Sequence, residues 1–264
     1  MITSVSNPQI KNLIQLQKKG KARREQDVFV AEGIKMFQEA PRELVERVYI
    51  SHSFSMRPEA RELTGQRNVE VLDDQVFLSA ADTKTPQGIM AVIRQQHYTL
   101  EQVLAGKHPL VLVLENLQDP GNLGTILRTG EGAGVTGVIM SSDTVDIYNP
   151  KTIRSTMGSI YRMPFLRTGN LVEVVPELKR RGITAYAAHL MGRQDYDDPD
   201  YCRGCAFLIG NEGNGLSDSL ASLAQEYIRI PMCGSVESLN AAVASSLLVY
   251  EAFRQRRRSQ ESPF

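Results

Sequence analysis

What the chain lacks narrows it before any motif is read. Nowhere does it reach the roughly 18 consecutive apolar residues of a membrane span. A membrane-spanning helix is therefore excluded, and no membrane partner is expected. The first residues, MITSVSNP, carry no signal-peptide pattern, so the expected compartment is the cytoplasm. Charge of one sign is also missing: 30 lysines and arginines offset 30 aspartates and glutamates, for a formal net charge of +0. The molecule as a whole has no pull on a polyanion. Only three cysteines are present. Cys202-Arg203-Gly204-Cys205 has the spacing of half a zinc site, but a structural zinc needs four ligands. Cys233 and the scattered His52, His97, His108 and His189 make no convincing second half, so no metal is expected. A redox pair has no better support, and reduced thiols are the default in a cytoplasm. No Ser-His-Asp set can be assembled. The chain has no internal repeat and no low-complexity segment.

What remains is an ordinary apolar content, enough for a sizeable core in one large domain or two small ones. Residues 1–24 hold Lys11, Lys18, Lys19, Lys21, Arg23 and Arg24 with no acidic residue, a candidate phosphate-binding segment. Arg254, Arg256, Arg257 and Arg258 form a second basic cluster. Residues 7–24 read as one basic helix with a partial apolar face at Ile10, Leu13, Ile14 and Leu16. Short apolar runs at 28–30, 47–50, 69–72 and 89–93 alternate with helical stretches, a small α/β unit over 1–94. Residues 95–107 are the linker candidate, with a helical turn near Leu100. The second half, 108–258, again alternates. Its strands are expected at 110–115, 136–141, 183–188, 205–210 and 226–230. Its helices are expected at 122–133, 150–157, 171–181, 217–222 and 238–255, with a tail at 259–264.

Three polar, glycine-containing loops follow apolar strands, the place where α/β sheets bind ligands. NLQDPGNLGTILRT at 116–129 leads into a helix whose first N–H groups are free, with Arg128 two turns on from Gly121. A guanidinium there suits a phosphate or carboxylate. IGNEGNGL at 209–216 lacks the Gly-Lys-Ser/Thr ending of a triphosphate loop. It also lacks the spacing of a dinucleotide fingerprint. Glu212 in its centre would repel a phosphate, so a neutral or cationic ligand fits better. IPMCGSVESLNAAVA at 230–244 ends a strand at Pro231, turns at Gly234, and enters a helix that Ser235 or Ser238 can cap. The helix has apolar residues at 239, 243, 247, 250 and 253, and small ones at 241, 242 and 244–246. Small side chains on that second face let another backbone or a ligand come close.

Together, in this order and each after a strand, the three loops resemble the three motifs of the SPOUT class of RNA methyltransferases, in its SpoU ribose 2′-O branch. The match covers 108–256. The first half resembles the substrate-binding domain often fused to that branch, on Ile2-Thr3-Ser4, Asn7-Pro8, the basic run at 18–24 and Phe29-Val30-Ala31-Glu32-Gly33. The resemblance implies an α/β fold: a small N-terminal RNA-binding domain, then a SPOUT domain with a parallel sheet and a C-terminal trefoil knot. It implies S-adenosylmethionine as cofactor, carried onto Gly210, Ile230 and Leu239, with His189 and Met232 lining the same pocket. It implies a homodimer and an RNA partner, 23S ribosomal RNA before tRNA. A non-catalytic RNA-binding protein on the same fold is the alternative of another class. The catalytic set it implies is Arg128, Asn122, Glu212, Ser238 and Asn240. In the family the residue matching Arg128 is usually named as the base. Guanidinium holds its proton up to a pKa above ~12. The physical reading is instead a clamp that binds phosphate and stabilises the developing alkoxide, with Glu212, water or the cofactor carboxylate taking the proton.

Overall fold

The computed structural model describes residues 1–65 and 69–261, the side chains of Gln260 and Glu261 excepted. Within the expected tail, 259–261 continue the last helix, and 262–264 lie outside the described residues. The chain forms two compact units. One is Met1–Gln96 with Asp146–Tyr161, and the other is His97–Val145 with Arg162–Phe264.

In the first unit the elements run α1 (Pro8–Lys18), α2 (Gly20–Gln26), β1 (Val28–Glu32), α3 (Ile34–Glu39), β2 (Val45–Ser51), α4 (His52–Ser55), α5 (Pro58–Thr64), β3 (Val69–Leu72), α6 (Asp74–Ala80) and β4 (Ile89–Arg94). The strands form a mixed sheet in the order β1-β4-β2-β3. Helix α1 starts where the Asn7 side chain accepts from the Gln9 N–H and Pro8 takes the first turn. Its apolar side, Ile10, Leu13 and Leu16, packs with Val28, Val30 and Tyr49 in one core.

The expected single helix over 7–24 is two helices, broken at Lys19, whose backbone is extended. Arg23 supplies the reason. Its guanidinium turns back and donates to the carbonyls of Leu16 at 2.6 Å and Gln17 at 3.1 Å. These are among the carbonyls a helix end leaves without partners. The same group pairs with Asp146 at 2.6 Å, and Arg23 is only 3% exposed. Arg23 is therefore corrected from a phosphate-binding candidate to a structural cation. Lys11, Lys18, Lys19, Lys21 and Arg24 remain exposed.

The second unit holds α7 (Leu100–Val103), β5 (Leu110–Leu114), α8 (Pro120–Gly132) and β6 (Gly137–Ser141). The next helix, α9 (Pro150–Thr156), belongs to the first unit, where Tyr148 stacks on Phe29 with ring centres 4.6 Å apart. The second unit then continues with β7 (Phe165–Thr168), α10 (Leu171–Arg180), β8 (Thr184–Ala188), β9 (Gln194–Asp195), β10 (Cys205–Ile209), α11 (Asp218–Ala221), β11 (Glu226–Arg229) and α12 (Ala241–Glu261). Strands β7 and β9 were not expected from the pattern, being short and flanked by loop residues.

All pairings in this second sheet are parallel, in the order β7-β6-β5-β10-β8-β11-β9. Parallel strands are buried on both faces, and β5 and β10 are buried at every position. Of the stretch read as a linker, 97–107 is part of this unit. Thr99 and Gln102 close a capping box on α7, and Val103 is fully buried. Gly137 lets it in: a Cβ there would lie 2.6 Å from the Val103 side chain and 2.8 Å from its carbonyl oxygen. Among the described residues no helix is long and apolar enough to cross a membrane.

The buried pair gives a stability prediction. Arg23→Met leaves Asp146 without its cation and the end of α1 without its donor. Breaking such a pair costs roughly 3 kcal/mol or more. Urea unfolding should show a loss of that order, and Lys11→Met, at an exposed site on α1, should leave the midpoint almost unchanged.

Candidate functional site

Four neighbouring parallel strands, β5, β10, β8 and β11, end on one edge of the sheet. Their following loops therefore emerge side by side: Glu115 to Asp119, Gly210 to Leu216, His189 to Gly192, and Ile230 to Asn240. Strand register fixes this, with Ile209 opposite Leu114, and Ala187 opposite both Leu208 and Tyr227.

The first three loops of the sequence reading are joined by one string of side-chain hydrogen bonds. The Glu212 carboxylate accepts from the backbone N–H of Gln118 and of Asp119, each at 3.0 Å, and from the Asn122 amide at 3.1 Å. The Asn122 oxygen in turn accepts from the Asn240 amide at 3.0 Å. The Asn240 oxygen accepts from the N–H groups of Ala242 and Val243, at 2.9 and 3.3 Å. Asn240 is thus the cap of α12, the role expected of Ser235 or Ser238. Ser238 is exposed and has no hydrogen-bond partner among the described residues.

Burial raises the Glu212 pKa, but the donors from Asp119, Gln118 and Asn122 outweigh it. The carboxyl stays below its ordinary 4.5. A carboxylate held in that way is a poor base and a firm anchor.

Further contacts, which the sequence reading missed, hold the same loops. The Glu115 carboxylate accepts from the Ser217 N–H at 2.7 Å and its hydroxyl at 2.6 Å. The Asn211 amide donates to the Asn116 carbonyl at 2.7 Å, and its oxygen accepts from the N–H groups of Gly213 and Asn214. Asn116 sits in the left-handed region at φ 52, a conformation asparagine tolerates better than most residues. Polar residues with acceptor side chains inside each motif were the available signal; their partners were not. Gly210 is obligatory here. A Cβ at that position would lie 2.0 Å from the Gly215 carbonyl carbon, because 215–216 crosses directly over it.

Arg128 projects from α8, exposed, with no hydrogen bond or ion pair among the described residues. It stands about 9 Å along the helix axis from Asn122, on the face shared with Gly121 and Thr125. The structure therefore gathers Asn122, Glu212 and Asn240 into direct contact, and leaves Arg128 and Ser238 outside that network.

The residues expected to hold the cofactor, Gly210, Ile230, Leu239, His189 and Met232, are all half-buried on these loops. The main chain of 230–239 makes no hydrogen bond among the described residues, so its N–H and C=O groups are open to a ligand. Beside it, the His189 N–H reaches the Ile228 carbonyl at 2.9 Å, and its ring accepts from the Met191 N–H at 3.1 Å. The donor set suits a neutral heterocycle read by backbone, with a cationic group near Glu212.

Two of the four arginines of the other basic cluster are taken up structurally, and Arg257 and Arg258 are exposed. Arg254 pairs with Glu251, and Arg256 donates to the carbonyls of Tyr201, His108, Pro109 and Arg203. Cys202, Cys205 and Cys233 are free thiols, and no metal-binding cluster occurs among the described residues.

Comparison with known proteins finds relatives of both halves of the chain. The model of the SpoU rRNA Methylase family matches residues 109–250, and that of the MRM3-like substrate binding domain matches 7–91. A Bacillus subtilis protein, 23S rRNA (guanosine(2553)-2′-O)-methyltransferase RlmP, is 33% identical over 94% of this chain and 97% of its own. The SpoU methyltransferase AviRb of Streptomyces viridochromogenes, solved in complex with the cofactor AdoMet, superposes with a TM-score of 0.86 at 28% identity, over 95% of this chain and 98% of that one. An AdoMet-bound rRNA methyltransferase from Sinorhizobium meliloti gives 0.85 at 30% identity, over 96% and 97%.

The Glu212 anchor predicts an acid dependence. Its folded pKa is depressed, so its contribution to stability is complete above 4.5 and is lost as pH falls through the lower folded value. Glu212→Gln removes that term. Urea unfolding near neutrality should rank the variant below wild type, and the gap should narrow as pH falls below 4.5. A gap that stays constant with pH would show that the carboxylate charge contributes nothing.

Proposed function

The chain belongs to the SpoU rRNA methylase family, and from that membership we propose that it transfers a methyl group from S-adenosylmethionine to a ribose 2′-hydroxyl of 23S ribosomal RNA. The observation that carries the reading is the bonded string Glu212–Asn122–Asn240, which locks the three motif loops together beside an exposed, unpartnered Arg128. Gly210, Ile230 and Leu239, with His189 and Met232, would hold the cofactor, through the main-chain groups of 230–239 that nothing else engages. When bound, S-adenosylmethionine supplies an electrophilic methyl sulfonium.

The protein's own task is then positioning and charge. Arg128 grips the phosphate beside the target ribose and stabilises negative charge as the 2′-oxygen loses its proton. Asn122 and Asn240 hold the loop ends at fixed distance. Ser238, its hydroxyl unengaged, faces the RNA. Glu212 is a positioning residue, since a carboxylate with three donors and a lowered pKa accepts a proton poorly; water takes it. The first unit binds RNA through Lys11, Lys18, Lys19, Lys21 and Arg24. The RNA substrate places the reaction in the cytoplasm.

Two finer features belong to the same reading. A trefoil knot is supported by the strand order: β10 lies between β5 and β8 although the chain reaches it after β8, and β11 lies beyond β8. A homodimer is supported by α12. Ala241, Ala242, Ser245, Leu248, Val249 and Ala252 are buried, while Val243, Leu247 and Tyr250 are 48%, 37% and 48% exposed. Residues 243, 247 and 250 leave an apolar stripe for a second copy.

These proposals make two measurable claims. With labelled cofactor and ribosomal RNA, wild type should introduce one 2′-O-methyl group, mapped by resistance to alkaline cleavage. Arg128→Ala should lose on the order of 10²–10³ in single-turnover rate while keeping the thermal shift induced by cofactor. Arg128→Lys should recover part of that rate, with the alkaline limb of its pH profile unmoved; a displaced limb would make Arg128 the base. Separately, Leu247→Glu should convert a dimer to a monomer in sedimentation, and a wild-type protein already monomeric at micromolar concentration would remove the dimer from the proposal.

A further inference from the structure

Strand β8 lies on one side of β11 and β9 on the other, so the chain between them, residues 189–193, crosses over β11. The crossing is close. Gly192 is buried, and a Cβ there would lie 2.5 Å from the Ile228 carbonyl carbon and 2.6 Å from the Arg229 nitrogen. Ile230, where the unengaged main chain of 230–239 begins, follows directly.

His189 holds this crossing. Its N–H donates to the Ile228 carbonyl at 2.9 Å, which carries the β8–β11 ladder one residue past Ala188. Its carbonyl accepts from the Gly192 N–H at 2.9 Å. Its ring Nδ1 accepts from the Met191 N–H at 3.1 Å, and the ring meets Tyr227 of β11 edge to face, with centres 5.7 Å apart. Any residue except proline could make the first two bonds. The third needs an acceptor at the δ position of the side chain. Accepting there places the ring proton on Nε2. The one lone pair of Nδ1 is then spent on the chain and cannot serve a ligand.

We propose that His189 is a positioning residue for S-adenosylmethionine, acting through the turn it closes rather than through Nδ1 on the cofactor. The inference rests on the reading that the loops after β8 and β11 hold that cofactor. The bond to Met191 closes the turn, and the turn seats Gly192 against Ile228 and Arg229. That contact sets how the chain leaves β11 and where the open groups of 230–239 start. The same bond fixes the tip of the turn, Leu190 and Met191, which are 64% and 78% exposed. A ligand read by main-chain groups binds more tightly when those groups need no ordering.

The test changes the δ acceptor alone. His189→Phe keeps a ring beside Tyr227 and puts a carbon in place of Nδ1. His189→Asn restores an acceptor at the δ position, and asparagine side chains commonly bond the N–H two residues on. Titration calorimetry with S-adenosylmethionine and no RNA should find His189→Phe roughly fivefold weaker than wild type, the order of one net hydrogen bond, and His189→Asn within about twofold of it. In the cofactor-free proteins, exchange of the Met191 amide hydrogen should be faster in His189→Phe and unchanged in His189→Asn, with the rest of the amides protected alike. In the methyl-transfer assay, His189→Phe should raise the cofactor KM and leave kcat nearly unchanged. Equal weakening by both variants would assign the ring to a direct contact with the cofactor and overturn the proposal. Undiminished binding by His189→Phe would overturn it as well, leaving the bond a local one. A wild-type protein that binds no S-adenosylmethionine would overturn the underlying reading and the proposal with it.

Discussion

The amide of Asn122 is the contact on which the site depends. Its nitrogen donates to Glu212 and its oxygen accepts from Asn240, so one side chain ties the loop after β5 to the loops after β10 and β11. An amide suits this position because it offers a donor and an acceptor on one planar group. Aspartate would repel Glu212, and leucine would break both bonds. Each bond taken alone is modest, about 1 kcal/mol, somewhat more where the partner is charged. Together with the Glu115–Ser217 and Asn211–Asn116 contacts they fix the relative positions of three loops.

That arrangement is possible because the sheet beneath is wholly parallel. Neighbouring parallel strands end at the same edge, and loops far apart in sequence become adjacent in space. Asn122 and Asn240 are 118 positions apart, and Asn122 and Glu212 are 90. Close approach then depends on what is absent. Gly210 has no room for a Cβ beneath 215–216, and the small face of α12 seats Ala241, Ala242 and Ser245 inward. The buried serine is satisfied locally, its hydroxyl donating to the Ala241 carbonyl at 2.7 Å.

Charge behaves differently in the two basic clusters from what counting suggests. Arg23 and Arg256 are each consumed by backbone carbonyls, one closing the end of α1 and one gathering the carbonyls of residues around 108 and 201–203. Their planar forks reach several acceptors at once, a role lysine cannot fill. The residues of the two clusters left exposed for a polyanion are Lys11, Lys18, Lys19, Lys21, Arg24, Arg257 and Arg258. A net charge of +0 therefore coexists with a locally basic surface on the first unit.

Much of the fold was legible in the chain itself. Hydrophobic period placed the core strands β1 to β6, β8, β10 and β11 within a few residues, because buried parallel and mixed strands need continuous or alternating apolar runs. The motif residues Asn122, Glu212 and Asn240 stood out only through the resemblance of the three loops to family motifs. Other features belonged to tertiary structure. Period says that an apolar residue is buried, not in which core: Val103 and Tyr148 lie in stretches whose unit only packing assigns. A charged residue reads the same whether it faces solvent or, like Arg23, a helix end and an aspartate 123 positions away. On α12 the face packed against α8 and β10 combines small residues with Leu248 and Val249, a mixture that the spacing did not single out. Local pattern specifies what a segment can bury; only the fold decides what is brought against it.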